Sequence, residues 1–161
     1  MSTTDQIVKT TVLRAPRDRV WRAVSDSQQY GAWFGARFDG PFVAGAKLTA
    51  TIVPTEADPQ VAKSQEAYRG RTFTFEVERI EPPRMIAFRW HPYAIDPKID
   101  YSAEPTTLIV FELEEVPGGT RLTITESGFD KIPLARRSEA FKMNEGGWTA
   151  QLTLIEKYLA S

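Results

Sequence analysis

The chain has 161 residues, 42% of them hydrophobic and 25% charged, a balance that supplies a well-filled core and excludes an intrinsically disordered protein. Twenty basic residues against twenty-one acidic ones leave a formal charge of −1, so no long-range field gathers nucleic acid or an anionic membrane surface. The lack of cysteine excludes disulfides, thiol catalysis and any metal site built on cysteine.

Met1 to Gln6 is polar without an apolar signal core, and no apolar run approaches the ~20 residues that span a bilayer, so the expected compartment is the cytoplasm. Ile7 to Leu13 is rich in β-branched residues and predicts a first strand. Pro16 stands where a helix begins, and Val20, Trp21 and Val24 follow at helical spacing. Ser25-Asp26-Ser27 offers caps for a second short helix through Tyr30 to Trp33 and Phe34, closed by Gly35. Phe38 to Phe42 and Ala46 to Val53 predict two strands joined by a turn at Ala44-Gly45. The pattern stops at 54–70, which is expected to be an exposed, mobile loop carrying Glu56, Asp58, Lys63 and Glu66.

Arg71 to Ile80 alternates again, with Phe73, Phe75 and Val77 on one face. Pro82-Pro83 forces a turn, and Met85 to Trp90 follows with Ile86, Phe88 and Trp90 on one side. A second irregular stretch, 91–105, carries aromatics that offset the entropy of ordering; it is expected to be ordered. Thr107 to Glu115 and Thr120 to Ser127 flank Val116-Pro117-Gly118-Gly119 and predict a hairpin. Its same-face sets are Ile109, Phe111, Leu113 and Leu122, Ile124, Glu126. A long helix over Leu134 to Leu159 ends the chain, with Phe141, Trp148, Leu152, Ile155 and Leu159 on one stripe. This order predicts an α+β fold, a curved antiparallel sheet with a helix across one face, in a single domain over 1–161.

Several segments are similar to the START-like (SRPBCC, birch-pollen-allergen-like) superfamily. They are A-P-R-D-R-V-W-R-A-V-S-D at 15–26, W-F-G at 33–35, E-P-P-R-M-I-A-F-R-W at 81–90, G-G-T-R-L-T-I-T-E-S-G-F at 118–129 and G-G-W at 146–148. Within it the chain most resembles the branch named for the activator of the 90-kDa heat-shock-protein ATPase, specifically its C-terminal domain. The resemblance runs from about Ile7 to Leu159. It implies a helix-grip fold: a six- or seven-stranded antiparallel sheet curled around the terminal helix, two short helices after the first strand, and a cavity between. Members of the wider superfamily include lipid carriers, cyclases and dehydratases, and fold alone does not choose among them.

Trp33, Phe34, Phe75, Phe88, Trp90, Phe111 and Trp148 fall on faces that converge on the interior. Core packing accounts for any one of them; together they offer the apolar walls of a ligand site. Glu126 shares its strand face with Leu122 and Ile124, so alternation points its carboxylate inward, at a cost of several kcal/mol unless a partner or water meets it. It is either a polar anchor on a pocket wall or a solvated strand end. Arg137 and Asn144 share the Trp148 side of the terminal helix with Phe141, and face Glu126 at a pocket mouth unless that helix end is solvated. His91 is the only histidine, which argues against a metal site but leaves acid–base work or a loop hydrogen bond open. With Tyr93 and Tyr101 it is expected to turn toward the pocket.

No G-x-S-x-G, phosphate-cradling glycine loop or dinucleotide fingerprint is present, and no cofactor or metal is expected. The leading expectation is therefore binding of a small hydrophobic or amphipathic molecule in an internal cavity, ahead of catalysis. The rivals are a cyclase- or dehydratase-type enzyme using Glu126 and His91 as acid–base groups, and a chaperone-associated interaction protein. A chaperone or a second copy of the chain are the macromolecular partners left open.

Overall fold

The computed structural model describes residues 6–92 and 98–160, and Tyr93 lies outside them. The strands are β1 (Gln6–Leu13), β2 (Ala36–Phe38), β3 (Lys47–Ile52), β4 (Thr72–Glu81), β5 (Met85–Trp90), β6 (Thr107–Val116) and β7 (Gly119–Ser127). The helices are α1 (Arg17–Ser25), α2 (Ser27–Phe34), α3 (Pro59–Gln65) and α4 (Leu134–Ala160). Among these residues the seven strands make one antiparallel, curved, open sheet in the order β1-β7-β6-β5-β4-β3-β2. This is the predicted α+β architecture, with the two short helices after β1 and the long helix last.

Alternation decides which side chains enter the core. Along β7 Thr120, Leu122, Ile124 and Glu126 are buried while their neighbours are half-buried, and along β6 Thr107, Ile109, Phe111 and Leu113 are buried in the same way. The hairpin turn between them needs glycine at 119, because a Cβ there would come 2.0 Å from the Leu13 carbonyl oxygen. α1 and α2 follow their predicted signals: Asp26 accepts from the Gln28 and Gln29 amides at the start of α2. Gly35 closes α2 at a φ of 99°, a left-handed conformation that disfavours a side chain. α4 lies on the concave face, where Trp148 packs on Phe111 and Trp90 with ring centroids 5.8 and 5.7 Å apart.

Two expectations are corrected. The strand expected over Phe38 to Phe42 is only Ala36–Phe38: Pro41 has no N–H for a ladder, and the chain leaves the sheet to put Phe42 into the core. The stretch 54–70 is not irregular throughout, since it contains α3 and a 3₁₀ turn over Glu66–Tyr68. Asp58 caps α3 by accepting from Gln60 N (2.8 Å) and Val61 N (3.3 Å), and Pro59 fits its first turn. Asp58 also pairs with Lys157 of α4, which, ahead of the Val61 and Gln60 amides, holds its carboxyl below the usual carboxylate range. Residues 66–70 are exposed as expected, whereas Thr55 is buried, its hydroxyl donating to the Trp33 carbonyl at 2.8 Å.

Candidate functional site

Glu126 closes the inward row of β7, opposite Ile109 of β6, and beside it Thr107 of β6 stands opposite Trp90 of β5. Pairing thus gathers a carboxylate, a hydroxyl and an indole at one end of the three adjacent strands β7, β6 and β5. α4 adds Asn144 and Trp148, four residues apart and so on one helical face. Glu126 is completely buried. Its Oε1 accepts from Trp148 Nε1 (2.8 Å) and Asn144 Nδ2 (3.0 Å), and its Oε2 accepts from Trp90 Nε1 (2.7 Å) and Thr107 Oγ1 (2.5 Å). An indole N–H can only donate, so the donor set suits the ionised carboxylate. These bonds satisfy the group that alternation forces inward, and among the described residues no lysine, arginine or histidine forms an ion pair with it.

Beneath this cluster lies an aromatic core centred on Tyr30, whose ring is 4.6 Å from Trp33, 5.5 Å from Phe88 and 5.8 Å from Phe111. The Tyr30 hydroxyl is buried and has no hydrogen-bond partner among the described residues. Burial first, and then the Glu126 charge, push its ionisation well above the ordinary tyrosine range, so it stays neutral. Above the cluster a cleft of about 70 Å³ runs between α4 and the sheet, lined by Phe34, Trp90, Asn144, Gly147, Trp148 and Gln151. Its three rings form a triangle, with centroids 6.1 Å (Phe34–Trp90), 6.2 Å (Phe34–Trp148) and 5.7 Å (Trp90–Trp148) apart. The Gln151 amide donates to the Phe34 carbonyl at 3.3 Å, while its own carbonyl oxygen is buried and unpartnered. A larger hollow of about 400 Å³ lies between β1 and the end of α4, lined by Val12, Leu13, Arg14, Glu156, Leu159 and Ala160. It has no aromatic wall, so the cleft is the stronger candidate.

Of the residues singled out in the sequence, Trp90, Glu126, Asn144 and Trp148 are brought into one hydrogen-bonded group, with Phe34 on the cleft wall. Trp33, Phe75, Phe88 and Phe111 are completely buried beneath it. Phe141 packs instead on Phe129, at 5.2 Å. Arg137 does not reach Glu126, because its guanidinium donates to the carbonyls of Asp130 (2.7 Å) and Ile132 (3.0 Å) in the turn before α4. His91 Nε2 lies 3.1 Å from the Glu104 carbonyl oxygen and forms no hydrogen bond with Glu126. Thr107, Gln151 and Tyr30 are the members sequence reasoning passed over. Thr107 shares the parity of Ile109 and Phe111, and Gln151 stands one turn after Trp148; both spacings carry the signal.

Pro92, Tyr101 and Glu104 are fastened to α4 by Arg136. Its guanidinium donates to Glu104 Oε1 (2.6 Å) and to the Pro92 carbonyl (2.8 Å) and lies 4.7 Å above the Tyr101 ring. Both charged side chains are mostly buried, at 18% and 17% exposure, so their coupling exceeds that of a solvated pair. An Arg136→Ala/Glu104→Gln double-mutant cycle is expected to give a coupling of about 1–2 kcal/mol in urea unfolding. A value near zero would mean that the strap is not formed in solution.

A curved antiparallel sheet gripping a long C-terminal helix, with a buried polar cluster and a cleft between them, defines a helix-grip protein. The chain belongs to the family described as activator of Hsp90 ATPase homolog 1-like protein, whose model matches residues 14–160. Solved structures of the same fold include a protein from Arthrobacter aurescens, at 18% identity with a TM-score of 0.72, covering 98% of this chain and 87% of that one. Another is a Mesorhizobium loti protein, at 20% identity with a TM-score of 0.69, covering 96% of each chain. A third, DynU16 from the dynemicin biosynthetic locus, has 22% identity and a TM-score of 0.68; the match takes in 98% of this chain but only 48% of that one. At these identities the likeness is one of fold. No curated protein matches the chain at a significant level. Among the described residues no helix is long and apolar enough to cross a membrane, and no group of three or more acidic or histidine side chains is placed to hold a metal ion.

Proposed function

We propose that the protein binds a small amphipathic molecule in the cleft between α4 and the concave face of the sheet. The observation that carries this reading is the ring triangle of Phe34, Trp90 and Trp148 lining a cleft open to the surface, with the buried, unpartnered Gln151 carbonyl behind its wall. Apolar walls with a few convergent polar atoms are the usual composition of a ligand site. At about 70 Å³ the cleft is small beside the roughly 300–1,000 Å³ of a site that encloses a drug-sized molecule, so it takes a head group while the remainder of the ligand stays outside.

Gly147 leaves the mouth clear. It is exposed in the middle of a helix, where glycine costs about 1 kcal/mol relative to alanine, and a Cβ there would meet nothing within 4 Å. Packing therefore does not demand glycine, whereas an open entrance does. The test is a thermal-shift and tryptophan-fluorescence screen of phenolic acids, aromatic polyketides, fatty acids, sterols and small amines. A ligand at about a hundred times its Kd adds about 2.7 kcal/mol of stability, a readily measured rise in Tm. Gly147→Leu should fold at least as well as the parent and abolish the shift by filling the mouth. Failure of the whole panel, or equal binding by Gly147→Leu, removes the cleft as the site.

A further inference from the structure

Resting on the reading of this cleft as a binding site, we infer that its occupant is an organic cation, an amine or quaternary ammonium head group. Three observations converge on that chemistry. First, the rings of Phe34, Trp90 and Trp148 line the cleft, packed with their centroids 5.7 to 6.2 Å from one another. Aromatic faces carry negative potential and attract cations, tryptophan most strongly. Second, Glu126 is hydrogen-bonded to three of the six lining residues, Trp90, Asn144 and Trp148, so a negative charge sits one side chain behind the wall.

The four donors around Glu126 are neutral. They spread its charge without cancelling it, and the site keeps a net charge of −1 in a medium where charge acts over longer distances than in water. Third, the donors that border the cleft are already committed. Both indole N–H groups and the Asn144 amide point at Glu126, and the Gln151 amide points at the Phe34 carbonyl. What is left unpartnered is an acceptor, the Gln151 carbonyl oxygen. Such a site repels a carboxylate or phosphate and offers a neutral alkyl group only apolar contact. A cation gains from the rings and from the charge behind them.

The test compares choline and tetramethylammonium with 3,3-dimethylbutan-1-ol, the neutral isostere of choline, on the intact chain. Tryptophan fluorescence and the indole N–H signals of Trp90 and Trp148 report binding. Choline is expected to bind at least about tenfold more tightly than the alcohol, the range that cation–π attraction and a nearby charge together produce. Phe34→Leu, which leaves the Glu126 cluster untouched, should weaken choline about threefold or more and the alcohol by a smaller factor, so that the preference for the cation narrows. Glu126→Gln, provided it folds, should remove the preference.

A lysophosphatidylcholine arm separates two sources of the same head group. Tighter binding than choline marks a lipid, and equal or weaker binding marks a free ammonium compound. Equal affinity for choline and its isostere overturns the cation inference while leaving the cleft as a site. So does a response to phenolic or fatty acids with none to choline. Silence from every compound overturns this inference and the proposed function together.

Discussion

Glu126→Ala is expected to lower the free energy of unfolding by about 3–5 kcal/mol. The substitution strands Trp90 Nε1–H, Trp148 Nε1–H, Thr107 Oγ1–H and the Asn144 amide, all of which converge on one carboxylate. A buried donor left without an acceptor costs about 1–3 kcal/mol, and relief of the buried charge offsets only part of the sum. For a chain of 161 residues the result is a fall in Tm of roughly 10 °C. Glu126→Gln keeps the shape but turns an N–H₂ toward an indole N–H, and should lose about half as much. Urea unfolding at neutral pH measures both. A loss below about 1 kcal/mol for Glu126→Ala would mean that water already reaches the carboxylate and that the cluster does not tie α4 to the sheet.

The cluster is legible in the sequence where short-range periodicity controls direction. The parity of Leu122, Ile124 and Glu126 points the carboxylate inward, and the four-residue spacing of Asn144 and Trp148 puts both on its side of α4. Legibility fails where a neighbouring backbone competes for a side chain. Arg137 has a helical position compatible with facing Glu126, yet the carbonyls of Asp130 and Ile132 lie closer at hand and take its guanidinium. Arg136, one residue earlier, reaches across to Glu104 and Pro92, a tertiary contact that no local pattern encodes.

α3 shows a different failure. Seven residues with no buried side chain carry no apolar period, and its only local mark is the Asp58-Pro59 pair, a cap followed by a proline in the first turn. The cleft is the least legible feature. Its size depends on how far α4 stands from the sheet, a distance set by the summed bulk of Trp148, Phe34 and Trp90 rather than by any single residue.

Phe88→Ala tests the packing on which that distance depends, and is expected to cost about 3–5 kcal/mol. Phe88 is completely buried, and its ring centroid lies 4.6 Å from Phe75, 5.0 Å from Phe42, 5.5 Å from Tyr30 and 5.9 Å from Phe111. Removing it deletes the transfer free energy of a phenyl group and breaks ring contacts worth about 0.5–1.5 kcal/mol each beyond area burial. Four surrounding rings on separate elements cannot all move inward at once, so the site collapses poorly and the cavity penalty is retained. Being apolar, that cavity should stay dry and take benzene or indole, recovering part of the lost Tm in a concentration-dependent way.

The loss here is of packing, so the urea slope should match the parent's while the midpoint falls. Phe88→Leu, which fills most of the volume, should lose less than half as much. A loss under about 1 kcal/mol for Phe88→Ala would show that the rings around Tyr30 rearrange freely. In that case the position of α4, and with it the cleft between Phe34, Trp90 and Trp148, would not be held by the core beneath.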